Sequence, residues 1–253
     1  MMRSGNPVLN DKTFTRHVDL TGDDRMTLMG TVHKTAFLLV LLVAVASITW
    51  KMGITVNAEG QMVTAPGLFG YMIGGAIGGL IFGMITLFKP TWAPVTAPIY
   101  AALEGLCIGA ISAFAESIFP GIVLQATGLT FGILFALLGA YRSGLIKATE
   151  NFKLGVAAAT GGIFLVYIVS FVLGMFGVAI PFLHDVSPIG IGISVFICII
   201  AALNLVLDFD FIENGADNGA PKYMEWLGAF GLMVTLVWLY IEILHLLMKL
   251  RSR

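Results

Sequence analysis

Seven apolar stretches, each about as long as a bilayer core is thick, leave this chain few folds to choose from. A helix needs roughly 20 apolar residues to cross about 30 Å of hydrocarbon. Inside lipid every backbone amide must find a partner, which a helix provides within the segment and an open strand does not. Segments 28–50, 68–88, 97–119, 122–141, 154–176, 189–211 and 226–248 meet that length. Only 11% of the residues are charged, against about 25% in a globular domain. The expected fold is all-α: a polytopic membrane protein with a polar tail, 1–25, and a seven-helix transmembrane domain, 26–253. Its medium is the lipid bilayer. A net charge of -1 gives no reason to expect a nucleic-acid partner.

The connections carry the orientation. The tail mixes Arg3, Lys12, Arg16 and Arg25 with Asp11, Asp19, Asp23 and Asp24. The first apolar run starts too late for a signal peptide and lacks a small-residue cleavage site, so no cleavable leader is expected. The tail and loops 89–96, 142–153 and 212–222 hold nine Lys and Arg, and the opposite side holds four. Lys and Arg favour the cytosolic side, which places the N-terminus in the cytosol and the C-terminus outside. Loop 51–67 is the longest interior connection, and Phe119-Pro120-Gly121 forces spans three and four into a tight hairpin. Cys107 and Cys198 fall in apolar spans and read as small buried hydrophobes. Glycines one turn apart (Gly70, Gly74, Gly78; Gly75, Gly79, Gly83; Gly128, Gly132), together with Gly161-Gly162, read as packing faces.

Polar residues inside the spans are the candidates for function, because ionisable groups are costly there and rarely kept without a role. Glu104 lies about a third of the way into span three, and Glu116 sits near its far end. In span six, Asn204 and Asp208 share a face. Asp210 points away from that face and is expected to meet water at the helix end. In span seven, Thr235, Trp238, Glu242 and His245 form one polar stripe, which should face the bundle interior. Glu242-x-x-His245 shares the spacing of carboxylate–histidine ligand pairs in di-metal bundles. No second such pair occurs in the spans, and no nucleophile stands beside a base, so an enzyme is not expected.

Glu104, Asp208 and Glu242 have almost no basic residue to pair with inside the spans; Lys34 lies near the start of span one. A carboxylate buried without a base takes up a proton, shares one, or binds a cation. Carboxylate and carbonyl oxygens suit Ca²⁺. Asp208 and Glu242 are therefore candidate Ca²⁺ ligands; no cofactor is expected, and Ca²⁺ and H⁺ are the expected small partners.

At these residues the chain resembles the Bax inhibitor family, the transmembrane Bax-inhibitor-motif proteins. Residues 100–110 (YAALEGLCIGA) resemble its third-span pattern, an aromatic-rich run followed by Gly-Leu-x-x-Gly, with Glu104 where Thr or Met is commoner. Residues 206–212 (VLDFDFI) resemble its sixth-span Asp motif. Residues 239–247 (LYIEILHLL) resemble its Leu-Tyr-x-Asp stretch, with Glu242 replacing Asp. The tail residues Asn6–Leu9 are similar to those of a bacterial branch, which implies a bacterial cytoplasmic membrane. The resemblance implies two three-helix layers around a central seventh helix, and a pH-sensitive Ca²⁺ leak. It also implies that Asp208 and Glu242 share a hydrogen bond as a proton-sensitive latch. The two stand further apart in sequence than that motif leads one to expect. If spans six and seven are simple antiparallel neighbours, Glu242 lies roughly 24 Å up span seven and cannot reach Asp208. Pairing then needs 213–231 to hold an interfacial segment; otherwise each acid serves a separate part of a path, or Glu104 meets Glu242.

Two functions of different classes follow. The first is a proton-sensitive, Ca²⁺-permeable channel or leak. Asp208, Glu242 and Glu104 would line or latch its route, supported by Asn204, His245 and Asp210. The second is a membrane interaction protein that regulates a membrane protease or another membrane complex. The glycine faces and the charged tail suggest it.

Overall fold

The computed structural model describes residues 24–177 and 186–252. Asn6–Leu9 and the connection residues Pro181, His184 and Asp185 lie outside the described residues. Seven helices are long and apolar enough to cross a membrane. They are α1 (Leu28–Gly53), α2 (Leu68–Phe88), α3 (Ala93–Ile118), α4 (Ile122–Arg142), α5 (Glu150–Met175), α6 (Pro188–Asp217) and α7 (Met224–Arg251).

Side chains flanking the apolar runs set the helix starts. Thr27, Thr149 and Ser187 each accept a bond from the third amide beyond them, at the starts of α1, α5 and α6. Such caps satisfy amides that the helix leaves unpaired. Glu116 does the same from a distance: its carboxylate accepts from the amides of Gly121 and Val123 and closes the α3–α4 turn. Gly121 sits there at φ 82°, a conformation that glycine adopts without strain.

Two elements differ from the sequence expectation. Loop 51–67 contains an antiparallel hairpin, β1 (Ile54–Val56) with β2 (Met62–Thr64). Asn57 Oδ1 organises its turn by accepting from the amides of Glu59 and Gln61. α6 runs on to Asp217, because its polar last turns stay helical outside the apolar run. Asn214 and Asn218 bond back to carbonyls one turn earlier. The stretch 213–231 is thus the end of α6, a short turn and the start of α7, not an interfacial segment.

α7 occupies the centre. Of its apolar window 83% is buried, against 11% for α5. α1, α3, α4 and α6 pack around α7, while α2 lies outside on α3 and α5 lies outside on α6. The helices thus fall into two groups of three, α1–α3 and α4–α6, on either side of the seventh. The bundle's entry end holds the chain's first described residues. There the amide of Met26 donates to Ala220 O, and that of Lys222 donates to Asp24 O. At the hairpin end, Arg251 donates to Pro120 O and Gln125 Oε1 and ties α7 to the α3–α4 turn.

Lipid is as apolar as leucine, so close backbone approach does much of the packing in such a bundle. Gly105 and Gly109 press α3 against α1. A Cβ at Gly109 would meet the Ala46 carbonyl oxygen and lie 2.7 Å from Thr49 Cβ. Backbone cannot step aside as a side-chain tip can. Gly109→Ala should therefore destabilise the protein by about 1–3 kcal/mol, the usual range for overpacking. Gly128→Ala, with nothing within 4 Å, should be neutral. Unfolding of the two variants in detergent checks the contrast.

Candidate functional site

α5 is the most exposed of the spanning helices, and a small apolar cluster holds it. Ile163 packs with Ile197 and Ile200 of α6, flanked by Trp238 of α7. Three polar contacts supply the rest. Near the entry end, Lys153 Nζ lies 2.7 Å from Asp210 Oδ2. Further along, Asn204 Nδ2 donates to Thr160 Oγ1 at 2.8 Å. Toward the hairpin end, Tyr167 Oη donates to Glu242 Oε1 at 2.6 Å. Lys153, Thr160 and Tyr167 repeat every seven residues, so they fall on one face of α5, drifting only about 20° per repeat. The result is a polar seam that pins α5 onto α6 and α7.

The seam opens into a cavity of about 480 Å³ at its hairpin end. Tyr167 and Ser170 of α5, Ser194 and Ile197 of α6, and Glu242 and His245 of α7 are among its lining residues. Trp238, one turn before Glu242, donates Nε1–H to the same Oε1 at 3.1 Å. Glu242 is 5% exposed. Both donors thus meet on one carboxylate oxygen of Glu242. Lys249 is buried beyond His245 and donates to Ser194 Oγ at 2.8 Å.

The structure brings Glu242 and His245 to one cavity, and it places Asn204, Asp210 and Glu242 on the seam. Asp210 is not the solvated end residue expected from sequence, because Lys153 of α5 reaches back to it. Asp208 is fully buried in α6, in a stretch from Asn204 to Phe209 that is buried throughout. It does not pair with Glu242. Ile212 lies beside Gly228, and Lys249 reaches Ser194, which fixes α6 and α7 as antiparallel neighbours. Glu242 then stands level with the segment from Cys198 to Ala201. Asp208 is about two to three turns away, roughly 10–15 Å along the axis. The two cannot share a proton or ligate one Ca²⁺ ion.

Glu104 does not meet Glu242 either. Ser112 and Tyr240 share a 2.6 Å hydrogen bond, which sets Glu104 level with Leu232, roughly 15 Å short of Glu242. It faces α2 instead, where a Cβ at Gly79 would lie 2.8 Å from its Oε2. Gly75, Gly78, Gly79 and Gly83 do pack against α3. Gly70, Gly74, Gly128, Gly132, Gly161 and Gly162 have nothing within 4 Å of where a Cβ would stand.

The expected shortage of basic residues also needs correcting. Lys153 serves Asp210, and Lys249 acts electrostatically on Glu242. Lys34 pairs with Glu225, an acid that sequence reasoning passed over because it stood at the edge of span seven. Glu225 is fully buried and also accepts from the amide and hydroxyl of Thr27, each at 2.9 Å. The partners on α5 had a signal in the sequence, the seven-residue spacing of Lys153, Thr160 and Tyr167. Among the described residues, no group of three or more His, Cys, Asp and Glu side chains gathers as a metal site.

Seven helices long and apolar enough to span a membrane, packed around a buried central seventh, define a polytopic integral membrane protein. The sequence matches the family described as Bax inhibitor 1 like over residues 6–252. The chain belongs to that family. No curated protein and no solved structure matches it.

Proposed function

We propose that the protein is a proton-sensitive, Ca²⁺-permeable leak, without catalytic activity, whose gate is the α5 seam. The observation that carries this reading is the cavity beside Glu242. It reaches a buried carboxylate, and that carboxylate holds the most exposed helix in place. With Glu242 ionised, Tyr167 and Trp238 clamp it and α5 stays seated. When Glu242 takes up a proton, its bond from Tyr167 weakens and α5 can move off α6 and α7. Cation passage then rises as pH falls. Ca²⁺ is the proposed ion because carboxylate and carbonyl oxygens suit it. Asp208 and Glu104 would serve the half of the route nearer the entry end, which we place in the cytosol of a bacterial cell. His245 and Lys249 are the other titratable groups on α7 near Glu242; Cys198 of α6 stands level with it.

Glu242→Gln keeps an acceptor but loses the charge. In liposomes containing the purified protein and a Ca²⁺ indicator, this variant should leak at neutral pH as the wild type does in acid. Its flux should be nearly flat with pH. Wild-type flux with a wild-type pH profile would remove Glu242 from the mechanism. Flux lowered at every pH would make Glu242 an attracting charge rather than a latch.

A second reading, a membrane interaction protein, is favoured by the glycines of α4 and α5 that pack on nothing among the described residues. Small residues on outer faces let another helix approach closely. A stable membrane-protein partner in native membranes, with no ion flux from the purified protein, would favour it.

A further inference from the structure

The cavity beside Glu242 has a chemistry that gating leaves unused. Glu242 is 5% exposed, and both of its donors, Tyr167 and Trp238, are neutral and meet on Oε1. Its Oε2 accepts from none of the described residues and is not sealed off, so it is open to the cavity that Glu242 lines. Among the described residues no Lys, Arg or His forms an ion pair with this carboxylate. Lys249 acts on it only from a distance. Its ammonium donates to Ser194 Oγ and Gly190 O, and it stands roughly 10 Å further along α7. Buried charges are normally kept by pairing, so one oxygen of this carboxylate lacks a cationic donor.

The walls indicate which donor. Tyr167, Phe171 and Met175 of α5 line the cavity with Ile193 and Ile197 of α6. Phe171, Met175 and His245 are exposed, so the cavity is open on that side. A resident Ca²⁺ ion takes about 6–8 oxygens, more than Glu242, Ser170 and Ser194 offer. A primary ammonium has three N–H donors and needs no such cage. Aromatic faces attract it further. An apolar body attached to it is sheltered by the remaining walls. We propose that this cavity binds a lipophilic amine. Its ammonium donates to Glu242 Oε2, and its hydrocarbon lies against Phe171, Ile193 and Ile197. The volume of about 480 Å³ falls within the usual range for a small-molecule site, roughly 300–1,000 Å³.

Retention of radiolabelled octylamine and octanol by the full-length protein in phosphatidylcholine nanodiscs tests the site, with protein-free nanodiscs as the blank. The two probes share a chain length and differ in the ammonium. Wild type should retain octylamine about tenfold better, the effect of one hydrogen bond to a charged group. Glu242→Gln should lose that preference, and Glu242→Asp, which keeps the charge, should keep a clear one. Ser170→Leu, which narrows the cavity, should lower retention of both probes. Equal retention of the two by the wild type overturns the proposal. So does an unchanged preference in Glu242→Gln, a lost one in Glu242→Asp, or unchanged retention in Ser170→Leu. Retention is read without ion flux, so amine binding can fail while the leak stands, and the reverse.

Discussion

Tyr167→Phe should raise Ca²⁺ flux at neutral pH by about tenfold or more and flatten its rise with acid. The substitution removes one oxygen and leaves the ring in the wall of the cavity. What is lost is the 2.6 Å bond that ties α5 to Glu242 of α7. A hydrogen bond to a charged group contributes about 1.5–3 kcal/mol. If that energy separates the seated from the displaced position of α5, its loss shifts the equilibrium roughly 10- to 100-fold. The remaining contacts of α5 with its neighbours, the Ile163 cluster and the bonds to Asp210 and Asn204, keep the variant folded. Tyr167→Phe and Glu242→Gln act on one contact, so the double variant should leak no more than the stronger single one. Fully additive effects, or a Tyr167→Phe profile equal to wild type, would separate the seam from gating.

Lys34→Met should cost about 3 kcal/mol of stability, the largest loss expected from any single charge in the bundle. Lys34 on α1 pairs with Glu225, whose side chain is 0% exposed. Removing one partner of a buried ion pair leaves the other charge uncompensated, at a typical cost of about 3–5 kcal/mol. The lower end applies because the Lys34 side chain is 19% exposed, and because Lys222 lies 3.8 Å from the same carboxylate. Glu225→Gln alone should cost less, since a freed Lys34 can extend its ammonium toward water. The decisive comparison is the double variant. If the damage comes from a stranded carboxylate, adding Glu225→Gln to Lys34→Met should restore more than half of the loss. If Lys34 matters only as packing, the second substitution should make matters worse. Denaturant unfolding in detergent micelles distinguishes the two outcomes.

Pattern carried much of the site in the sequence. Of the stripe Thr235, Trp238, Glu242 and His245, Thr235 and Glu242 are buried as its period required, whereas His245 is exposed and meets Glu242 only as a lining residue of the cavity. Asn204 and Asp210 are both structural partners of α5, although Asp210 was expected to face water. A single helix can show that a residue is polar and deep, but not which neighbour reaches it. Lys153 lies at the start of an apolar run and reads as an end residue until α6 is set beside it. Glu225 was hidden in the same way: its partner, Lys34, is on a helix at the other end of the chain.

The depth of the acids was the other matter beyond reach. Asp208 and Glu242 lie on consecutive helices and suit one latch by residue type. Only the antiparallel packing of α6 on α7 puts them on different levels. The burial of the helices could not be read either. α5 is more apolar than α7, yet it is the exposed one. In water an apolar surface must face the core, so hydropathy indicates burial. In a bilayer lipid satisfies an apolar face as well as protein does, and that signal is lost. Sequence alone determined the number and approximate positions of the spans and the polar residues of the seventh, because hydrocarbon thickness and helical period are fixed. Tertiary structure decided which helix is central, which acids meet bases, and which carboxylate holds α5, because those depend on the register and side-by-side order of helices that lipid leaves unspecified.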